Sequence, residues 1–136
     1  MTGTLNPSQL LAELAHFTGT GGYVRHWYHR RLLYTDGVQH LAERAGAHWL
    51  VDEIAFQHAT GHMRQLIQQD GRLGEMQFWT LSVHENGSAV LTLRADSDAP
   101  AVIERKISAT DFPLKSIDLW IAFDGKHWVL YLPSEH

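Results

Sequence analysis

A chain of 136 residues, 44% of them hydrophobic, with a net charge of −4 has the size and apolar content of one folded domain, and extended disorder is excluded on composition. It contains no cysteine, which rules out disulfides, thiolate metal sites and a cysteine nucleophile. Residues 1–72 carry 6 Arg against 6 acidic residues and residues 73–136 carry 5 basic against 9 acidic, so the negative excess belongs to the second half. That balance is unsuited to a sequence-independent DNA-backbone binder, which needs clustered positive charge.

Residues 1–9 lack the basic start of a signal peptide, and no apolar run approaches the roughly 18 residues that span a membrane. A soluble, unprocessed cytoplasmic protein is expected. Asn6-Pro7-Ser8-Gln9 joins a capping side chain, a proline at the first helical position and a Gln able to reach back to the cap. A helix therefore starts here and carries Leu10, Leu11, Leu14 and Phe17, until Thr18-Gly19-Thr20-Gly21-Gly22 breaks it.

Residues 23–34 mix aromatic and basic side chains without a clean period, and the spacing predicts only a short strand over 32–34. Thr35-Asp36-Gly37 is a turn whose Thr or Asp caps a helix through Val38, Leu41, Ala42 and Ala45, ending at Gly46. Residues 47–57 are apolar on nearly every face, which predicts a central buried helix. After Thr60-Gly61 a second amphipathic stretch covers 63–69 and ends at Asp70-Gly71.

From Met76 the texture changes to β-branched and aromatic runs, predicting strands near 77–83, 89–94, 101–108, 117–123 and 128–132. Asn86-Gly87 and Asp124-Gly125 signal hairpins of type I′, whose two central residues both need positive φ, and 96–100 is a third short link. The expectation is an α+β domain covering 1–136. Its helices, over about 6–70, pack on one face of an antiparallel β-meander of four to five strands over about 76–132.

Ten histidines are the most unusual compositional feature. His58 and His62 stand four apart as helical zinc ligands do, but Gly61 lies between them and no HExxH pattern exists, so no metal or other cofactor is expected. Residues 26–31, with His26, Trp27, Tyr28, Arg30 and Arg31, form the only basic cluster. Arginine grips phosphate and aromatics stack bases, but the patch is small. Nucleic acid is therefore a poor fit; a surface strip whose aromatics anchor the loop to the core is the better one, with a protein-interaction hot spot rich in Trp, Tyr and Arg as a further reading.

Asp52 and Glu53 point about 100° apart on a helix and form no facing dyad by themselves. One of them must find a partner in so apolar a helix, with His48 or an arginine of the 25–31 strip in reach. The glycine-rich 17–22 stretch lacks the lysine of a phosphate loop and follows a helix where such a loop follows a strand.

The phrases Phe17-Thr18-Gly19-Thr20, Tyr34-Thr35-Asp36-Gly37-Val38, Trp49-Leu50-Val51-Asp52-Glu53-Ile54, Thr110-Asp111-Phe112-Pro113-Leu114 and Tyr131-Leu132-Pro133-Ser134-Glu135 together resemble a family of short bacterial proteins of unknown function, also carried by phages and mobile elements. The resemblance runs nearly end to end and implies a single domain with no assigned activity. Its context implies an accessory module that occupies a host or phage protein, such as an anti-CRISPR-like inhibitor of a defence system; a homodimer is compatible with it. The other class to weigh is a small hydrolase or ligand-binding protein, with Asp52 or Glu53 meeting His48, His26 or His29 between helices and sheet.

Overall fold

A computed structural model of the chain describes residues 6–19 and 21–136. Residues 1–5 and Thr20, within the predicted helix break, lie outside the described residues. Among the described residues four helices follow the expected order: α1 (Pro7–Ala15), α2 (Asp36–Ala45), α3 (His48–Ala59) and α4 (Gly61–Gln69). Asn6 caps α1 by accepting from the amides of Ser8 and Gln9, and Thr35 caps α2 through the amide of Val38. Gly46, left-handed at φ 61°, ends α2. No helix among the described residues is long and apolar enough to cross a membrane.

The sheet has seven strands, more than the four to five expected: β1 (Tyr23–Arg25), β2 (Leu32–Thr35), β3 (Met76–Val83), β4 (Ala89–Arg94), β5 (Ala101–Ile107), β6 (Ser116–Phe123) and β7 (Trp128–Tyr131). Their order is β1-β2-β7-β6-β3-β4-β5, so the expected meander is corrected on two counts. First, β6 does not pair with β5 but returns beside β3, giving the four-strand order of a Greek key. The link over 108–115 makes this return by crossing the end of the β3–β4 hairpin, where the Thr110 amide donates to the Gly87 carbonyl and the Val83 amide to that of Lys115. Phe112 and Leu114 of this link are buried in the core. Second, β1 and β2 come from the helical half, and β2 joins β7 in parallel with Leu32, Leu33 and Tyr34 opposite Trp128, Val129 and Leu130.

The hairpins form where expected, though not by type I′ turns. Among the described residues only glycines have positive φ, so Asn86 and Asp124 do not. The β6–β7 connection is instead an Asx-type turn, with the Asp124 carboxylate accepting from the amides of Lys126 and His127.

Alternate residues of the sheet face the helices. Leu50 and Ile54 of α3 meet Trp79, Leu81, Leu91, Ile117 and Leu119 there, and full burial of each such side chain contributes about 1.5–3 kcal/mol. Trp79 keeps its indole N–H satisfied on the Gln77 side chain, which itself donates to the Leu73 carbonyl. On the opposite face Trp120 stands edge-on to Phe78, Tyr131 and His136. The sheet ends in β1, of three residues, and β5, whose pairing with β4 is bulged at Leu93/Arg94 and which exposes Glu104, Arg105 and Lys106.

The C-terminal turn is tied to the start of α2 by a buried carboxylate. Glu135 Oε1 accepts from the Thr35 hydroxyl at 2.7 Å and the Leu132 amide at 3.0 Å, beside the positive end of the helix dipole. Gly37 is the residue that allows this approach, because a Cβ there would lie 2.7 Å from both Glu135 Oε1 and Leu132 Cδ1. Gly37→Ala is accordingly expected to cost about 1–3 kcal/mol by overpacking, measured as a lowered urea midpoint with an unchanged slope. Unaltered stability would mean that the terminal turn yields freely.

Candidate functional site

The loop over 26–31 joins β1 to β2 and is closed by backbone bonds from His26 to Leu32 and from Leu32 to His29. Two histidines fasten it to α3. His26 is 2% exposed, and its Nδ1 accepts from the amides of Tyr28 and His29 at 3.3 and 3.1 Å. That fixes the proton on Nε2, which donates to Asp52 Oδ1 at 2.7 Å. Asp52 also accepts the Trp27 indole N–H at 3.1 Å, while its backbone carbonyl accepts the Tyr28 hydroxyl at 2.6 Å. One residue of α3 thus holds three consecutive residues of the loop. Burial, then the negative charges of Asp52 and Glu53, raise the Tyr28 phenol above its ordinary range and keep it a donor.

The second fastening is a pair of imidazoles: His29 Nε2 and His58 Nδ1 share one hydrogen bond across 2.9 Å. His58 is 7% exposed and stands edge-on to Trp128 with ring centroids 4.5 Å apart. Its Nε2 is buried without a hydrogen-bond partner. Desolvation first, and then His29, pull the His58 pKa from 6.5 down to about 3, so the ring is neutral at neutral pH. His29 is lowered first by burial and then by its proximity to His26 and Arg31.

The two fastenings leave an aromatic surface in view. Trp27 is 75% exposed, Tyr28 39% and Phe56 58%. Phe56 follows Asp52 by four residues on α3, so its side chain leans back over the turn to which Trp27 is bonded. The apolar pattern of 47–57 places Phe56 in a buried helix; in the structure α3 is buried on Leu50, Val51, Ile54 and Ala55 and open along Phe56.

The expected site residues separate into groups. His26, Trp27, Tyr28 and Asp52 come together as one bonded cluster. Of the candidate partners for Asp52, namely His48, an arginine of the 25–31 strip, His26 and His29, the structure places His26 on its carboxylate, joined by Trp27, and leaves His48 exposed. Glu53 turns away from the loop: its carboxylate accepts from Gln57 at 3.0 Å and from Arg105 of β5 at 3.4 Å. Arg30 and Arg31 are exposed. His58 and His62 do not converge, since the chain breaks at Thr60 between α3 and α4, leaving one buried and the other exposed. Among the described residues no three His, Asp or Glu side chains are grouped to hold a metal. Sequence reasoning misses the His29–His58 pair because its members lie on different elements; the apolar stretch around His58 is the available signal.

A family model described as a family of unknown function, DUF6876, matches residues 8–136. The chain belongs to this family. No curated protein and no solved structure matches it. DUF6876 membership assigns no chemistry, so the roles of the loop and α3 rest on their geometry.

Two outcomes test the fastenings. His26→Ala removes the acceptor for two amides, and hydrogen exchange at Tyr28 and His29 is expected to speed up about tenfold or more while the β3–β6 amides stay protected. Unchanged exchange would show that the loop is held by other contacts. For His58 the folded pKa is depressed, so its contribution to stability is fully present above 6.5 and is lost as pH falls from 6.5 towards about 3. From about pH 7 to about pH 5 the wild type should lose about 2 kcal/mol more stability than His58→Gln. Parallel pH profiles would place the acid sensitivity in other groups.

Proposed function

We propose that this DUF6876 protein is a non-enzymatic protein-binding module whose contact surface is Trp27, Tyr28 and Phe56 around Asp52. The observation that carries the proposal is the state of Trp27, exposed on its ring and bonded at its N–H. An aromatic already fixed in place loses little conformational freedom on docking. Covering its ring is worth on the order of 4 kcal/mol before the ordering costs of association. Tyr28, bonded through its hydroxyl, adds a second pre-set ring, and Trp, Tyr and Arg dominate the energetics of protein interfaces. A protein partner fits better than a nucleic acid, because Arg25, Arg30 and Arg31 are the only Lys or Arg cations on residues 23–35 and the second half of the chain is acidic. In its narrower form the partner is a host or phage protein, occupied and inhibited in the manner of an anti-CRISPR protein. That form draws on the phage and mobile-element context implied by the sequence resemblance.

The His26–Asp52 bond favours a second reading, a small hydrolase or ligand-binding protein with a His/carboxylate site at the helix–sheet junction. Against it, His26 is buried and uses both nitrogens, one for backbone amides and one for Asp52, leaving neither for a substrate proton. Such a ring is suited to holding a loop.

Affinity capture from a cell lysate tests the proposal with the full chain and its Trp27→Ala variant. One stoichiometric protein is expected with the wild type and lost with the variant, while both melt within about 2 °C of each other, as expected for a surface substitution. Equal capture by the two, or no stoichiometric partner for the wild type, would overturn it.

A further inference from the structure

On the far side of the same loop lies a cleft of about 350 Å³ bounded by the loop, the end of α3, the first half of α4 and β7. Its chemistry is divided. Arg31 and Arg64 supply charge at the rim, and Met63, Ile67 and Trp128 supply apolar wall. No acidic residue lines it, whereas the clefts beside β5 and beside α1 carry Glu104 and Asp118 respectively. Nor are its arginines neutralised elsewhere. Among the described residues the arginine ion pairs belong to Arg44, Arg72 and Arg105, and neither Arg31 nor Arg64 makes a side-chain hydrogen bond.

Three further features make the cleft a place for negative charge. The helix α4 begins at its margin with no acidic residue in the first turn and no side-chain cap, so no side chain compensates the positive end of that helix, which meets the C-terminal end of α3 at Thr60. His29 lines the cleft, and with its Nε2 engaged by His58 its Nδ1 is the nitrogen left to face an occupant. The pKa of His29 is lowered first by burial and only secondarily by its neighbours, of which Arg31 is the cation that lines the same cleft.

We propose that this cleft binds a small organic anion. Its carboxylate or phosphate head sits between Arg31 and Arg64, and its planar apolar body lies against Trp128, Met63 and Ile67. A guanidinium matches either head with paired N–H donors. The volume lies at the lower end of the range for small-molecule sites, enough for one ring and its head group. With an anion accepting from His29 Nδ1–H, the tautomers follow: His58 Nδ1–H donates to His29 Nε2. The site is separate from the aromatic surface around Asp52, so either assignment can fail without the other.

The test titrates the full chain with phenyl phosphate, benzoate and inorganic phosphate, following tryptophan fluorescence and the backbone amide NMR shifts. Saturable binding of phenyl phosphate, benzoate or both is expected, with shifts centred on Arg31, Arg64 and Trp128; which of the two binds identifies the head group. Inorganic phosphate, lacking the apolar body, is expected to bind at least about tenfold more weakly than the better of the two. Arg31→Gln and Arg64→Gln are each expected to weaken binding about tenfold. Both side chains are exposed, so melting temperatures should not move, and these serve as the folding control. Absence of saturable binding at millimolar ligand, binding indifferent to both substitutions, or inorganic phosphate binding as tightly as the aromatic anions would each overturn the proposal.

Discussion

Leu32, Leu33 and Tyr34 pair in parallel with Trp128, Val129 and Leu130, bringing strands from opposite ends of the chain into one sheet. Much of the arrangement depends on this ladder. It carries the β1–β2 hairpin to the edge of the sheet beside α3, and it places Trp128 against His58. A parallel pair cannot be joined by a tight turn, and here the whole course from α2 to β6 serves as the connection. The short ladder is consequently a long-range closure, held at its margins by the Arg31 carbonyl on the Trp128 amide and by Glu135 on Thr35.

The loop over 26–31 has two faces with different physics. Towards solvent it offers rings whose polar ends are already satisfied on α3. Towards α4 and β7 it offers His29 and Arg31, where charge remains uncompensated. His26 separates the two. Its tautomer is set by backbone amides, and its outward bond to Asp52 gives the loop one orientation. Asp52, its side chain 42% exposed, serves as the fixed acceptor on which that orientation turns.

Local signals in the sequence are reliable where the chemistry is local. Asn6 and Thr35 act as the caps their side chains suggest, Gly46 ends α2, and the five strands after Met76 lie within about a residue or two of their expected bounds. What is not legible depends on contacts far apart in sequence. Nothing in Tyr23-Val24-Arg25 shows that it pairs with Leu33-Tyr34-Thr35 rather than remaining loop, and nothing in 108–115 shows that the chain will cross a hairpin to place β6 beside β3. Gly37 reads as an ordinary turn glycine, and its actual constraint is a carboxylate arriving from the other end of the chain. In the site, the strip and the carboxylate are both legible as candidates. Their junction through His26, and the burial of His58, require the sheet to bring loop and helix together.

The two ends of the sheet carry a consequence for how the molecule meets others. At one end β1 offers only three residues of free backbone; at the other β5 is bulged and studded with Glu104, Arg105 and Lys106. Short, kinked and charged margins resist the addition of a further strand, whether from a second copy or from an extended peptide. The sheet margins thereby disfavour main-chain templating, and concentrated protein should stay clear of edge-to-edge growth into fibrils.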